Sequence, residues 1–185
     1  MSTKYKFPDK EAAYFVTSTV VGWADVFTRD IYRTILLNSF KHCQKEQGLQ
    51  IHAWVLMPNH FHMICSCVNG NDPGMVIKNI KSYTALKLID AIIKNPAESR
   101  REWLLPLFKQ HGAHQKKNHI YQFWIHENHP ILLGDAAMLS QRMDYLHENP
   151  VRAGFVSKPE HWLYSSAIDY YTLNGKGLID IVSIY

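Results

Sequence analysis

Hydrophobic and polar positions along the first third of the chain alternate between strand-like and helix-like periods. Residues 13–21 are mostly β-branched or aromatic and end before Gly22, so they predict a first strand. Apolar positions then recur at helical spacing over residues 31–47. We expect Asp30 to cap this helix and Gly48 to close it.

The next segment predicts an antiparallel hairpin followed by a second helix. Residues 49–56 and 61–67 are strand-like runs separated by Met57-Pro58-Asn59, in which proline fixes φ and asparagine tolerates a left-handed turn. Asp72-Pro73-Gly74 is typical of a helix start, and Asn95-Pro96 of a helix end.

The second half of the chain predicts a fourth strand and a further helix. Residues 120–125 are strand-like, although an irregular apolar segment fits them as well. Asp135 caps a helix that Pro150 ends, and the aromatic tail after it should pack against the rest. The order predicts an α+β, ferredoxin-like split β-α-β sandwich: a four-stranded antiparallel sheet with helices on one face, plus a C-terminal helix.

Composition favours one globular domain over residues 1–185, with 46% hydrophobic and 19% charged residues. The N-terminus lacks the apolar core of a signal peptide, and no apolar run has the length of a membrane span. These features predict a cytoplasmic protein without a membrane partner. Cys43, Cys65 and Cys67 lie in apolar surroundings and are expected to be buried free thiols.

The net charge of +4 permits a polyanionic partner without requiring one. Basic residues concentrate around Gly112, within an expected insertion near residues 97–119. We interpret this segment as a basic loop rather than a helix face, either simply solvated or in contact with a polyanionic partner. Its basic residues are Lys109, His111, His114, Lys116, Lys117 and His119.

The strongest chemical signal is the pair His60 and His62 at the start of the third predicted strand. Side chains alternate across a strand, so the two imidazoles project to one face, roughly 6.6–7 Å apart along the backbone, while Phe61 points into the core. Such a pair can hold a metal ion. It is equally compatible with two ordinary polar strand residues.

The last predicted helix places Tyr145 and Asn149 one turn apart on one face, with Arg142 nearby. Tyr145 falls at the edge of the apolar stripe, where a phenol can be half covered and still reach a cleft. Taken alone, an ordinary boundary aromatic and an asparagine that precedes proline explain this helix too.

Together these motifs resemble the single-tyrosine HUH transposases, and in particular their REP-associated tyrosine transposase branch, which is insertion-sequence-200-like. The resemblance spans most of the chain, and its long strings are far more specific than the histidine pair. The matching segments are Trp54 to His62, Phe123-Trp124, Asp144 to Val156, Trp162 and Tyr164-Ser165-Ser166.

The resemblance implies an enzyme that cleaves and rejoins single-stranded DNA next to hairpins through a covalent 5′-phosphotyrosine, in the cytoplasm of a bacterium or on its nucleoid. Tyr145 would be the nucleophile. His60, His62 and Asn149 would hold Mg²⁺ or Mn²⁺, although two imidazoles on general grounds suit zinc better. The resemblance is compatible with a monomer or a homodimer. The expected DNA-binding residues are Arg142, Arg152, Lys109, Lys116 and Lys117.

Three other functions remain open at this point. A domesticated protein that binds DNA hairpins with little or no catalysis would keep the fold, but would not need His60, His62 and Tyr145 together. A ferredoxin-like interaction domain with accidental histidines needs none of them. A replication initiator or relaxase would use the same chemistry, usually in a longer chain with more domains.

Overall fold

The computed structural model describes residues 7–113 and 120–184 and contains a four-stranded antiparallel sheet in the order β2-β3-β1-β4. This is the ferredoxin-like α+β fold that the sequence predicted, with β1 and β3 adjacent at the centre. The elements are β1 (Tyr14–Thr19), α1 (Asp30–Glu46), β2 (Leu49–Leu56), β3 (His60–Cys67), α2 (Pro73–Lys94), α3 (Arg101–Ala113), β4 (Ile131–Leu132), α4 (Ala136–His147), α5 (Asn149–Arg152) and α6 (Ala167–Tyr171).

The fourth strand is not where the sequence placed it. Residues 120–125 lie beside the end of β1, with an isolated bridge between Val20 and Trp124 and a hydrogen bond of 2.8 Å from the Ile125 amide to the Thr19 carbonyl. They do not form a strand, and Ile131–Leu132 forms the outer strand instead. Phe123 and Trp124 are buried, because this segment fills the core as an irregular apolar run. Residues 120–125 are therefore an irregular apolar segment, which was the alternative to a strand.

The face covered by α1, α2 and α3 holds the larger core, which we call the helix-side core. Phe61, Met63 and Cys65 of β3 are all fully buried in it, as strand alternation requires. All three cysteines are buried and free, as expected. The members of this core from β1 and β2 include Tyr14, Val16, Ile51, Trp54 and Leu56.

The helix ends follow the sequence signals with one exception. Asp72 caps α2 by accepting a 2.8 Å hydrogen bond from the Gly74 amide, and Gly48 takes a left-handed φ of 65° just after α1. The prediction that Asp30 caps α1 is wrong. Asp30 is already in the helix, where its carboxylate accepts hydrogen bonds from Arg33 and Tyr164 instead of from a helix-end amide.

The basic segment is helical as far as residue 113, so the prediction of a loop there is wrong. Leu104, Phe108 and Gly112 recur every four residues and are buried, so α3 packs one face on the helix-side core. Lys109 is exposed on this helix. The remaining basic residues of the segment, His114, Lys116, Lys117 and His119, lie outside the described residues.

The opposite face of the sheet carries α4 and a smaller core, which we call the α4-side core. Asp135 caps α4, accepting a 2.7 Å hydrogen bond from the Met138 amide, and Pro150 lies just beyond the end of α4, within the short α5. Both features were predicted. This core consists of Phe15, Ala53, Val55, Met57, Ile64, Leu139, Met143 and Leu146.

The outer edge of β2 is covered by segments from the end of the chain. Leu56 and Trp54 exchange backbone hydrogen bonds with residues 164–166, and the Val182 amide donates to the Ile51 carbonyl at 2.9 Å. The indole of Trp162 donates to the Leu56 carbonyl at 3.0 Å. The aromatic tail therefore packs, as expected. None of the helices in the described ranges is long and apolar enough to cross a membrane.

Candidate active site

His60 and His62 lie side by side on the face of β3 that turns toward α4. Their ring centroids are 4.8 Å apart, with the ring planes at 71°. Phe61 between them is fully buried in the helix-side core. Strand alternation thus separates the two imidazoles from the core residue, as the sequence predicted.

Asn59 determines which nitrogen of His60 is free. Its amide nitrogen donates to the Trp23 carbonyl at 3.3 Å and to the Asp25 carboxylate at 3.0 Å, both of which can only accept. The Asn59 side-chain oxygen therefore faces Nδ1 of His60, at 2.6 Å, and must accept a hydrogen from it. Nε2 of His60 is left with its lone pair.

His62 has an even less satisfied nitrogen. Its Nδ1 lies 2.8 Å from the Thr17 hydroxyl, but its Nε2 is buried without a hydrogen-bond partner among the described residues. Thr17 stands opposite His62 in the register of β1 and β3, which explains the contact. A buried polar atom without a partner costs free energy, so it is a candidate functional group.

Both imidazoles are neutral near physiological pH. Burial lowers the pKa of His60 to about 4. Burial, with smaller effects from the His60 and Arg152 charges, lowers the pKa of His62 to about 3. Neutral imidazole nitrogens are the form that binds a metal ion, so the two side chains fit a divalent cation.

Tyr145 reaches this pair from the last turn of α4. Its ring centroid is 5.4 Å from that of His62 and 6.0 Å from that of Phe15. Phe15 in turn stacks on His62 at 5.2 Å, so the imidazole is held between β1 and α4. Tyr145 is 39% exposed, and its hydroxyl makes no hydrogen bond with any described residue.

Two arginines border the same site. The Arg152 guanidinium lies 4.6 Å from the Tyr145 ring centroid and donates to the Tyr145 carbonyl. The Arg142 guanidinium lies 5.5 Å from the ring centroid of Phe15, and its Nε is buried without a partner in the described ranges. The site thus combines two neutral imidazoles with a phenol and two positive charges.

Other residues predicted for the site are not joined to this group. Asn149 is half-buried at the start of α5, and no hydrogen bond links its side chain to His60 or His62 among the described residues. The same residues contain no cluster of three or more His, Cys, Asp or Glu side chains able to hold a metal. Lys109 is on α3, which packs against the opposite face of the sheet. Lys116 and Lys117 are outside the described ranges.

The two histidines are held in place by Phe15, Thr17 and Asn59, none of which was predicted as a site residue. Phe15 and Thr17 are two residues apart on β1, and Asn59 precedes His60 in the turn. The spacing of Phe15 and Thr17 predicts that their side chains share one face of the strand. Only the register of β1 against β3 shows that this face meets His62.

Comparison with known proteins agrees with this fold. Residues 14–104 match the family model described as "Transposase IS200 like", and the match includes His60 and His62. The resemblance inferred from the sequence motifs is therefore confirmed for this segment.

The particular relatives carry the name of the REP-associated branch. A REP-associated tyrosine transposase of Haemophilus influenzae strain Rd is 25% identical over 142 residues, covering 73% of this chain and 70% of that protein. A solved structure of a REP-associated tyrosine transposase bound to a REP hairpin superposes with a TM-score of 0.65 at 18% identity. It spans 100% of this chain and 95% of the solved chain, and it shows the same fold.

Proposed function

We propose that the chain cleaves and rejoins single-stranded DNA beside a hairpin, with Tyr145 as the nucleophile. The observation that carries the proposal is the position of Tyr145, exposed to solvent and 5.4 Å from the ring of His62, whose Nε2 is unpartnered among the described residues. A structural tyrosine has no need of such a neighbour. The relationship to hairpin-associated transposases supports the same chemistry.

In the cleavage step, the Tyr145 phenol oxygen attacks the scissile phosphorus and loses its proton. A bond forms between this oxygen and phosphorus, and the bond from phosphorus to the 3′ oxygen breaks. The leaving oxygen takes up a proton and becomes a free 3′ hydroxyl, while the 5′ phosphate stays on the tyrosine. The reverse step, with another 3′ hydroxyl, rejoins DNA without an external energy source.

The described side chains divide the remaining tasks. Arg152 lies against Tyr145 and is placed to hold the phosphate beside the phenol, and Arg142 adds a second positive charge. His60 and His62, with the side-chain oxygen of Asn149, would hold Mg²⁺ or Mn²⁺, which supplies Lewis-acid polarisation of the phosphate. A phenol has a pKa of about 10 in water, so this polarisation would offset its weak nucleophilicity.

The test is a covalent protein–DNA adduct on a denaturing gel. End-labelled single-stranded DNA with a hairpin, drawn from the genome that encodes the chain, is mixed with the protein and Mn²⁺. We expect an adduct that is absent with EDTA and absent for Tyr145→Phe. Tyr83→Phe is the matched control, because Tyr83 is 53% exposed on α2 and should form the adduct normally.

Two results would contradict the proposal. Adduct formation by Tyr145→Phe at the wild-type level would exclude Tyr145 as the nucleophile. Hairpin binding without any adduct would instead favour the second function, a DNA-hairpin-binding protein that no longer cuts.

A further inference from the structure

Trp23 is a large aromatic side chain that stands in solvent beside the proposed active site. It is 64% exposed, and its ring centroid lies 6.0 Å from that of His60. Its indole makes no ring contact with any other described residue. The core therefore gains little from a tryptophan here, although tryptophan is costly to leave exposed.

The backbone of Trp23 is also unusual. Its φ is 55°, and the preceding Gly22 has a φ of 63°, so two consecutive residues take the left-handed conformation. Glycine adopts this conformation freely, whereas a bulky side chain does so only under constraint. A tryptophan held there at the surface is the kind of strained position that clusters at functional sites.

The loop around Trp23 is held by hydrogen bonds on both sides. The Trp23 amide donates to the Val20 carbonyl at 3.1 Å, and the Trp23 carbonyl accepts from Asn59, the residue that also orients His60. Farther along the loop, Arg100 donates to the Asp25 carbonyl and to the Thr28 hydroxyl. The indole therefore stands on a braced loop that shares a hydrogen-bonding residue with the histidine pair.

We propose that Trp23 is a stacking platform for one unpaired base of the DNA next to the scissile phosphate. This inference rests on the proposed function, since it needs single-stranded DNA at His60. Exposed aromatic rings bind single strands by stacking on bases, and they accept any base because every base has a π face. The indole would thus fix the position of the strand on the side of the histidines away from Tyr145.

The test uses Tyr145→Phe protein, which binds without cutting, and fluorescently labelled hairpin DNA with single-stranded arms. Fluorescence anisotropy then gives the Kd for further variants. Trp23→Ala should weaken binding by about 5-fold to 150-fold, the range that loss of one stacked base produces. Trp23→Phe should keep part of the affinity. Tyr83→Ala is the matched control, because Tyr83 is an aromatic residue 53% exposed on α2 and should bind normally.

A second series identifies the base itself. Each base of the arms is replaced in turn by an abasic sugar. At one position, the abasic sugar should weaken binding to the protein that keeps Trp23 by the same factor as Trp23→Ala does. The same abasic sugar should not weaken binding to the Trp23→Ala protein any further. Alanine and tryptophan both carry a Cβ atom, so both bear the cost of the left-handed conformation at this position. Equal thermal denaturation midpoints of the proteins with and without Trp23→Ala will therefore show that the fold is retained.

The outcomes separate this inference from the proposed function. If Trp23→Ala binds as tightly as Tyr83→Ala, or if every abasic site weakens both proteins equally, Trp23 does not stack and the proposed function stands. If the Tyr145→Phe protein with Trp23 intact binds no hairpin DNA, the proposed function fails and this inference fails with it.

Discussion

The two faces of the central sheet are built from the same strands but serve different purposes. On the helix side, Phe61 and Met63 of β3 are fully buried among aliphatic and aromatic neighbours. On the α4 side, the intervening residue His62 and its neighbour His60 face a tyrosine and two arginines. Because side chains alternate along a strand, one face of β3 can be used for stability and the other for chemistry.

Glu98 and His62 are buried polar residues that differ in how their polar atoms are satisfied. Buried Glu98 accepts a hydrogen bond from the Tyr32 hydroxyl at 2.9 Å and pairs with Arg29 and Arg100 at 3.0 and 2.9 Å. The Nε2 of His62 has no such partner in the described part of the chain. Breaking a fully paired buried group is destabilising, whereas an unpaired buried atom requires an explanation, of which a bound ligand is one.

The largest loss of stability should come from Phe61→Ala on the helix side. This change removes a fully buried ring from a close-packed core and should lower the free energy of unfolding by about 3–5 kcal/mol. Urea denaturation followed by circular dichroism measures the change. A loss below about 1 kcal/mol would mean that the helix-side core is not the main source of stability.

Glu98→Gln should come next, with a loss of about 3 kcal/mol at neutral pH, because it leaves two arginines without their buried partner. The hydrogen bonds from Arg100, followed by the other contacts, lower the pKa of Glu98 to about 2. The ionised carboxylate therefore stabilises the fold fully above its ordinary pKa of 4.5, and this stabilisation is lost as pH falls toward 2.

Urea unfolding at a series of pH values measures this effect. The difference in stability between wild type and Glu98→Gln should be constant above about pH 5 and should shrink between pH 4.5 and 2. A difference that does not change with pH would show that the carboxylate charge is not the stabilising feature.

His62→Leu should change stability least among the buried positions. Leucine has a similar volume, and it removes both the unpartnered Nε2 and the hydrogen bond with Thr17. These two effects have opposite signs, so the free energy of unfolding should change by less than about 1.5 kcal/mol in either direction. Adduct formation should nevertheless disappear at every Mn²⁺ concentration. Normal adduct yield from a folded His62→Leu protein would remove His62 from the site, and a loss as large as that of Phe61→Ala would make it a core residue.

Arg152→Ala should alter the unfolding free energy by no more than about 1 kcal/mol, since it loses a contact with the Tyr145 ring and a hydrogen bond to the Tyr145 carbonyl, both of them exposed. Its effect should fall on DNA binding, where the slope of log K against log salt should drop by about one. Lys41→Ala is the control, because Lys41 is exposed on α1 on the other face of the sheet, and it should leave the slope unchanged. Equal slopes for Arg152→Ala and wild type would show that Arg152 does not contact a phosphate.

Local patterns predicted much of the fold, because strand alternation and helix spacing are properties of short segments. The hairpin around Met57-Pro58-Asn59 and the caps Asp72 and Asp135 are examples. The α3 helix was not predicted, because its basic residues indicated a loop although Leu104 and Phe108 stand at helical spacing. β4 has only two residues, too few for any periodicity to be visible.

The site was predictable where its residues belong to the sequence motifs that carry the family resemblance. These residues are His60, His62, Tyr145 and Arg152, and the structure brings them together. Trp23 and Thr17 lie in no such motif. Their proximity to the histidines depends on a turn and on strand register, which arise from tertiary structure.

The covered edge of β2 has a consequence for assembly. An edge strand with free amides and carbonyls is a template on which another chain can add a strand. Here Ile51, Trp54 and Leu56 already use such groups on residues 164–166 and on Val182. A second copy could extend the sheet on this side only by displacing the chain's own C-terminal segment. This segment therefore hinders the addition of a strand from another molecule.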